Sequence, residues 1–168
     1  MGNIPLGKRG IFTIVDDEDF EYLSKWKWHA LKNPFDYRVC RLDRKEDGEW
    51  GKMVLLHRIV INAPKGVEVD HINGDSLDNR KINLRLCTSA QNKYNRHKAN
   101  SKTGYKGVYL SGFKKNKYYV QIMVDGKGIH LGMFNDLITA AEAYDKAAIK
   151  YFGSFAWTNL QINTKGGK

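Results

Sequence analysis

The feature that most constrains this chain is an aspartate–histidine pair, Asp70 and His71, between two short apolar segments. Residues 67–69 predict a strand that delivers the pair, and residues 84–86 predict a second strand after a loop rich in Asn and Asp. Residues 88–91 match a helix-capping box, so a helix should begin there. We therefore expect a strand, a loop, a strand and a helix, in that order, around the acid and the imidazole.

The residue types in this segment suit the hydrolysis of a phosphodiester with a metal ion. That reaction needs an activated water, a cation that stabilises charge on the phosphoryl group and the leaving oxygen, and groups that fix both. An imidazole titrates near neutral pH, so His71 can accept the proton from water. Asp70 can hold a hard cation, Asn92 can supply a second oxygen ligand, and Asn83 could fix the tautomer of the imidazole. With only two protein ligands the ion would keep several waters, as suits magnesium.

Each of these residues has a plainer explanation when it is taken alone. An Asp-His pair in a loop is usually turn chemistry, and only the complete spacing of the four residues indicates catalysis. His57, in an apolar run, is read as a packed helix residue, and Trp26 and Trp28 are read as core anchors.

The net charge of +10 is unevenly distributed. Residues 1–50 carry 9 Lys and Arg against 10 Asp and Glu, residues 51–103 carry 10 against 4, and residues 104–168 carry 9 against 4. A basic surface of this size attracts a polyanion through counterion release, which favours nucleic acid over a small acidic metabolite. If charge alone is considered, the alternative to a nucleic-acid-binding protein is a protein that is merely basic. The side chains that we expect to contact DNA are Arg58, Arg80, Arg85, Lys93, Arg96, Lys98, Lys106, Lys114, Lys115, Lys117 and Tyr118.

The sequence predicts an α+β fold in two domains. Short strand signals over residues 1–62 predict a β-rich platform, with a hairpin turn at Asp47 and Gly48. From residue 104 the pattern changes to alternating strands and one amphipathic helix, which Gly153 should end. These strands are expected at 105–110, 118–125 and 128–134, and the helix from 139. The domains are set at 1–98 and 104–168, with a basic linker at 99–103.

Composition also predicts what the chain lacks. No apolar run approaches a membrane span and the N-terminus has no signal-peptide pattern, so a cytoplasmic protein without a membrane partner is expected. Cys40 and Cys87 are far apart and form no CxxC pair, so no structural zinc is expected, and both are read as small buried apolar residues.

The segment that begins at Leu56 and ends at Asn92 resembles the HNH endonucleases of the ββα-metal type, which are common among phages and mobile elements. The matching residues are Leu56-His57-Arg58, Val69-Asp70-His71-Ile72-Asn73-Gly74, Asp78-Asn79-Arg80, Asn83-Leu84-Arg85 and Gln91-Asn92. The resemblance implies that Asp70 and Asn92 bind one Mg²⁺ or Mn²⁺, that His71 is the general base and that Asn83 orients it. The last position of the family motif is often His, so Asn95 and His97 are alternatives to Asn92. A phage-encoded enzyme would act in the cytoplasm of a bacterial host.

Residues 104–160 resemble the DNA-binding domain of plant APETALA2 and ethylene-response factors. The matching residues are Tyr105-Lys106-Gly107-Val108, Tyr118-Tyr119-Val120-Gln121-Ile122, Leu131-Gly132-Met133-Phe134, Thr139-Ala140-Ala141-Glu142-Ala143-Tyr144-Asp145, Gly153 and Asn159-Leu160. The resemblance implies a three-stranded antiparallel sheet that enters the major groove and packs on one helix. Tyr109, Ser111 and Met123 stand where the plant pattern has arginines, so we expect positioning on DNA rather than fine sequence discrimination. A protein-interaction module with the same sheet is the alternative.

Together these patterns predict a metal-dependent, homing or nicking DNA endonuclease that acts on duplex DNA, with a monomer favoured. The main alternative is a DNA-binding regulator whose HNH segment is inactive. A nuclease directed at RNA is the third possibility, although A-form RNA keeps its major groove too narrow for a sheet. The sequence does not decide between nicking and double-strand cleavage.

Overall fold

The computed structural model describes residues 1–7, 10–32, 36–44, 49–96, 101–112 and 117–160. The chain forms two compact units, Met1–Thr88 and Ser89–Lys168. The linker that we placed at 99–103 stays a prediction, because residues 97–100 lie outside the described part of the chain.

In its described residues, the first unit is built from three small antiparallel sheets and two short α-helices. The elements are β1 (Gly2–Pro5), β2 (Phe12–Val15), α1 (Asp17–Leu23), β3 (His29–Lys32), β4 (Tyr37–Arg44), β5 (Trp50–Leu55), α2 (Leu56–Val60), β6 (Glu68–His71) and β7 (Leu84–Cys87). The sheets pair β1 with β2, β3 with β4 and β4 with β5, and β6 with β7. The α+β class is confirmed, while the hairpin turn predicted at 47–48 lies outside the described residues.

One apolar core joins the platform to the strands that carry Asp70 and His71. Trp28 is only 1% exposed, and its indole nitrogen donates to the Leu23 carbonyl at 2.8 Å. Leu56 from α2 and Val69 from β6 belong to the same buried cluster. Packing α2 and β6 on one core fixes where β6 ends and so positions the pair that follows Val69.

Strand β2 also pairs directly with the loop between β6 and β7. The amide of Ile14 donates to the Leu77 carbonyl, and the amide of Asn79 donates to the Ile14 carbonyl, both at 2.8 Å. These two bonds form a short parallel bridge between Ile14 and Asp78, so backbone hydrogen bonds attach the loop to strand β2 of the platform.

The described part of the second unit contains three strands and two α-helices. Its elements are α3 (Ser89–Tyr94), β8 (Val108–Leu110), β9 (Tyr118–Val124), β10 (Lys127–Phe134) and α4 (Leu137–Phe152). The sheet is antiparallel in the order β10-β9-β8, and its apolar face packs on α4 through Val108, Val120, Ile122, Ala140 and Ala148. Of the helices that the structure describes, none is long and apolar enough to cross a bilayer.

Two boundaries in this unit differ from the sequence prediction by two residues or more. Helix α4 begins at Leu137 rather than 139, because the Asp136 carboxylate caps it by accepting from the Thr139 amide at 2.7 Å. Strand β8 begins at Val108 rather than 105. Gly107 has φ +71, and a Cβ there would lie 2.2 Å from the Tyr144 ring, so this position needs glycine and does not continue the strand.

Candidate active site

The end of strand β6 carries the predicted acid and base. In the β6–β7 ladder Asp70 lies opposite Arg85, and His71 lies opposite Leu84. Asp70 is buried, whereas His71 is half-buried. Because successive residues of a strand project to opposite faces, the carboxylate and the imidazole leave β6 on different sides.

Arg85 forms an ion pair with the Asp70 carboxylate. Its Nε and Nη2 atoms lie 2.8 and 2.7 Å from Oδ2 of Asp70. Nearby Cys87 is buried, and burial first, then the charges of Asp70 and Glu68, raise the pKa of its thiol to about 11. The structure thus gives Arg85 a carboxylate partner within the unit, where the sequence suggested a DNA phosphate.

Asn79 contacts the imidazole of His71. Its Oδ1 atom lies 3.1 Å from Nε2 of His71. The Asn79 amide is fully buried, and its Nδ2 donates to Thr13 Oγ1 at 2.8 Å and to the Ser76 carbonyl at 2.9 Å. Because Nδ2 has two acceptors, the amide oxygen must face the imidazole, and an oxygen can only accept. Nε2 of His71 is therefore the protonated nitrogen, and in the neutral ring the lone pair lies on Nδ1.

Asn83 does not take the place that we expected beside the imidazole. Its Oδ1 accepts from the Asn73 amide at 2.9 Å, and its Nδ2 donates to the Asp78 carbonyl at 2.7 Å. Asn83 therefore closes the loop between β6 and β7, and Asn79 is the amide that orients His71. The sequence prediction assigned no role to Asn79, which stands in it only as one of the motif residues Asp78-Asn79-Arg80.

Arg80 is also engaged within this loop. Its Nε and Nη2 atoms each lie 2.7 Å from one oxygen of the buried Asp78 carboxylate, which also accepts from Asn73 Nδ2 at 2.9 Å. Hydrogen bonds from Arg80 are the main cause that holds the pKa of Asp78 below its usual range. Arg80 thus stabilises the loop, and its predicted DNA contact stays a prediction.

His57 packs against the imidazole of His71. Its ring lies edge-on to that of His71, with 5.3 Å between the ring centroids. Burial is the main cause that lowers the pKa of His57 to about 3, and the neighbouring His71, Arg58 and Arg38 lower it further. His57 is therefore neutral at physiological pH, in agreement with its interpretation as a packed helix residue.

Arg58 holds the turn that precedes β6. Its Nη1 donates to the Val67 carbonyl at 2.5 Å, and its Nη2 donates to the carbonyls of Pro64 and Ala63 at 2.7 and 3.3 Å. The sequence suggested a phosphate contact, but in the structure these donors bind backbone within the unit.

The donor types near β6 fit a hard cation. A carboxylate has two oxygens with several lone pairs, so Asp70 can accept from Arg85 on Oδ2 and still ligate an ion. Asn92, the other predicted ligand, lies on α3 in the second unit, and Asn95 follows the end of that helix. Among the residues described here, no group of three or more His, Cys, Asp or Glu side chains is placed to hold a metal ion.

The remaining predicted DNA contacts lie in the second unit. Lys93 and Arg96 are exposed and line an open cleft of about 580 Å³. Lys106 is different: its Nζ donates to the Tyr94 and Arg96 carbonyls at 2.7 and 3.0 Å, and burial lowers its pKa to about 8. Its ammonium therefore binds backbone where a phosphate was expected. Lys117 and Tyr118 are half-buried at the start of β9, and His97, Lys98, Lys114 and Lys115 lie outside the described residues.

Comparison with known proteins supports the nuclease interpretation. Residues 54–94 match a family model described as HNH endonuclease. A protein of Acanthamoeba polyphaga mimivirus, named as an uncharacterized HNH endonuclease, is 28% identical over 158 residues, which are 90% of this chain and 76% of the relative. The family match ends at residue 94, so the plant-type resemblance of residues 104–160 gains no support and stays a prediction. The matched segment contains Asp70, His71, Asn83 and Asn92, and the family match and the viral relative together support a nuclease enzyme.

Proposed function

We propose that this enzyme is a metal-dependent DNA endonuclease of the homing or nicking type and that His71 is its general base. The observation that carries the proposal is the hydrogen bond between His71 Nε2 and the buried Asn79 amide, next to the buried carboxylate of Asp70. A buried amide that fixes one imidazole nitrogen leaves the other with the lone pair that a base needs.

In the proposed reaction Nδ1 of His71 takes a proton from the attacking water. The imidazolium that forms keeps its Nε2–H bond to Asn79 Oδ1, which accepts a hydrogen bond in both protonation states. His57 is neutral and adds no positive charge beside the new cation. Asn83 holds the loop that positions Asn79. The products would be a 3′ hydroxyl and a 5′ phosphate.

HNH nucleases generally use a divalent metal ion, and we propose Asp70 and Asn92 as the protein ligands of one Mg²⁺ or Mn²⁺. The bound ion would supply positive charge to the scissile phosphate and to the leaving oxygen. Arg85 orients the Asp70 carboxylate, since its Nε and Nη2 atoms lie 2.8 and 2.7 Å from Oδ2.

We further propose that the second unit docks the enzyme on DNA. Residues 89–168 carry 13 Lys and Arg against 4 Asp and Glu, whereas residues 1–88 carry 15 against 14. Charge of this sign binds a phosphate backbone without regard to sequence. We expect a monomer that acts in the cytoplasm of its host. The competing function is a DNA-binding regulator without catalysis, and the same positive charge would support DNA binding by such a protein.

A nicking assay separates these two functions. The enzyme is incubated with supercoiled plasmid and Mg²⁺, with and without a chelator, and open-circle and linear products are quantified. We expect cleavage that the chelator stops, and we expect the general-base variant His71→Ala to be about 10²- to 10⁴-fold slower while it still binds DNA. His29→Ala, at an exposed histidine of the same unit, is the matched control. Intact DNA in every lane, with DNA binding retained, would support the regulator instead.

A further inference from the structure

The second unit has a sheet face on the side opposite α4. Strand alternation buries Val120 and Ile122 against the helix and turns Tyr119, Gln121 and Met123 to the other side. Three aromatic side chains follow one another across this side, and we call them the stacking face: Tyr109, Tyr119 and His130. The rings of Tyr119 and His130 are stacked with centroids 4.7 Å apart, and the Tyr109 and Tyr119 centroids are 6.4 Å apart.

The stacking face is accessible to a ligand. Tyr109 is 41% exposed, and His130 is exposed as well. The face is flanked by the apolar side chains of Met123 and Met133, which are 55% and 39% exposed. A contiguous exposed face of rings and thioethers commonly marks a binding site rather than a solvated surface.

A basic cleft continues from one edge of this face. Tyr109, Gln121 and Met123 line one side of the cleft of about 580 Å³, and Lys93 and Arg96 also line it. The acid in the lining, Asp125, accepts a hydrogen bond from the Tyr94 hydroxyl at 3.2 Å. The unit as a whole carries nine more basic than acidic residues, as counted above. The charge is therefore complementary to phosphates that pass beside an aromatic surface.

Rings and charge in this arrangement suit unpaired bases better than a duplex. Base pairs are read from the major groove chiefly by Arg, Lys, Asn and Gln side chains, and on β9 this face presents Gln121 between Tyr119 and Met123. In a duplex the faces of the bases are stacked on one another, so they are not available to protein rings. In a single strand the base faces are open, and proteins bind them by stacking on aromatic side chains beside a positive groove.

We propose that the stacking face binds the unpaired bases of single-stranded DNA, whose phosphates run along Lys93 and Arg96. This inference rests on the proposed action on DNA and adds a specific form of the substrate, namely DNA with an unpaired stretch. The stacking face requires glycine at position 128, because a Cβ there would lie 1.8 Å from Nε2 of Gln121. Glycine at 128 lets the Gln121 amide lie flat across β10.

The experiment measures binding without cleavage. The full chain carries His71→Ala, and a chelator is present, so affinity does not depend on the metal or the base. Fluorescence anisotropy gives the Kd for a labelled DNA of about 20 nucleotides without self-complementarity, alone and annealed to its complement. We expect Tyr109→Ala to weaken binding of the single strand by about 5- to 150-fold, the usual range for one stacked base, and to change duplex binding less than twofold.

Two further variants control for fold and for loss of any tyrosine. Tyr109→Phe keeps the ring and should retain the affinity. Tyr151→Ala removes a tyrosine of α4 that is 41% exposed, the same as Tyr109, and should leave the single-strand Kd unchanged. Circular dichroism and the unfolding midpoint report whether each variant folds.

A second measurement does not depend on any variant. Single strands containing 5-iododeoxyuridine are crosslinked by light to the unaltered chain, and the adducts are mapped by mass spectrometry. We expect adducts on Tyr109, Tyr119 or His130. Adducts confined to other residues would overturn the proposal, as would equal losses of single-strand and duplex affinity in Tyr109→Ala.

The design separates the failure of this inference from that of the proposed function. Absence of plasmid cleavage by the unaltered enzyme, with single-strand binding lost only in Tyr109→Ala, would refute catalysis and keep the stacking face. Normal cleavage with a single-strand Kd that Tyr109→Ala leaves unchanged would refute the stacking face and keep catalysis. A dimer in light scattering that Tyr109→Ala converts to monomer would assign the face to a second copy and overturn the proposal.

Discussion

The two units of this chain use polar residues in opposite ways. The first unit is almost neutral in net charge and buries a polar network that includes Thr13, Asn79 and Asn83 around one imidazole. The second unit carries nearly all of the net charge, and its core is an apolar layer between a sheet and a helix. The proposed function assigns the chemistry to the first unit and the affinity for DNA to the second, and this difference in charge and burial supports that division.

The buried network explains why the first unit needs two asparagines in one loop. Asn83 closes the loop through the Asn73 amide and the Asp78 carbonyl, and Asn79 uses the resulting position to reach His71. A buried amide that lost its partners would cost about 1–3 kcal/mol, so the loop is stable only as a complete set of hydrogen bonds. A rigid loop of this kind favours one orientation of the imidazole.

The largest effect that we expect is a loss of folding stability in acid, and it should be confined to the first unit. The pKa of His57 is about 3 in the folded state and near 6.5 when the chain is unfolded, so between these values the unfolded state binds more protons. Stability from this group is present above pH 6.5 and is lost as the pH falls, by about 2 kcal/mol between pH 7 and pH 5. Urea unfolding at both pH values measures it.

His57→Phe provides the comparison for this prediction. Phenylalanine keeps an aromatic ring beside His71 and cannot bind a proton, so its stability should change much less between pH 7 and pH 5. Asp78, whose pKa is held below its usual range, adds a loss of the same sign only at lower pH, since it contributes above the unfolded value near 3.8. Equal pH dependence in both proteins would show that His57 is protonated in the folded state.

The next effect compares Asn79 of the first unit with Asn159 of the second, two completely buried asparagines among the described residues. Asn79 and Asn159 are both 0% exposed, and Asn159 binds Lys106 through its amide oxygen at 2.6 Å and its amide nitrogen at 3.1 Å. Each change to alanine should cost about 1–3 kcal/mol of stability. Asn79→Ala should also lower kcat by about 10- to 100-fold, because the imidazole loses its orienting partner.

Cleavage rates at a temperature where both variants are folded decide whether the units differ in this way. Asn159→Ala should keep kcat within about twofold, since it lies in the unit without the base. The KM for DNA should stay unchanged in Asn79→Ala, which separates positioning of the base from binding of the substrate. Similar losses of kcat in both variants would reduce the role of Asn79 to stability alone.

The sequence predicted the second unit better than the polar details of the first. The strands and helix of residues 108–152 follow from local alternation and helical spacing, and these are properties of neighbouring residues. Asn79 is held by Thr13, which lies 66 positions earlier in the chain, so its role depends on a contact that no local pattern contains. The motif identified Asn83 as a candidate site residue, but it could not identify the hydrogen-bond partners of the Asn83 amide.

The partners of the arginines likewise could not be predicted from the sequence. The sequence reveals that Arg58, Arg80 and Arg85 are cations but not what lies within 3 Å of them. In the structure they bind backbone carbonyls, Asp78 and Asp70, respectively. Charge therefore predicts the partner of the whole chain, a polyanion, more securely than the partner of any single guanidinium.

The smallest effect concerns the salt dependence of DNA binding. If affinity resides in the second unit, Lys93→Gln and Arg96→Gln should each reduce the slope of log K against log salt by about 0.7 to 0.9, with a similar loss for any DNA sequence. Lys81→Gln is the control in the first unit, where Lys81 pairs with Glu18 at 2.5 Å and Asp19 at 3.1 Å, and it should leave the slope unchanged. Titrations of labelled DNA at four salt concentrations measure the slopes. A reduction in Lys81→Gln equal to that in Arg96→Gln would mean that both units contact phosphates, and the division between chemistry and affinity would then fail.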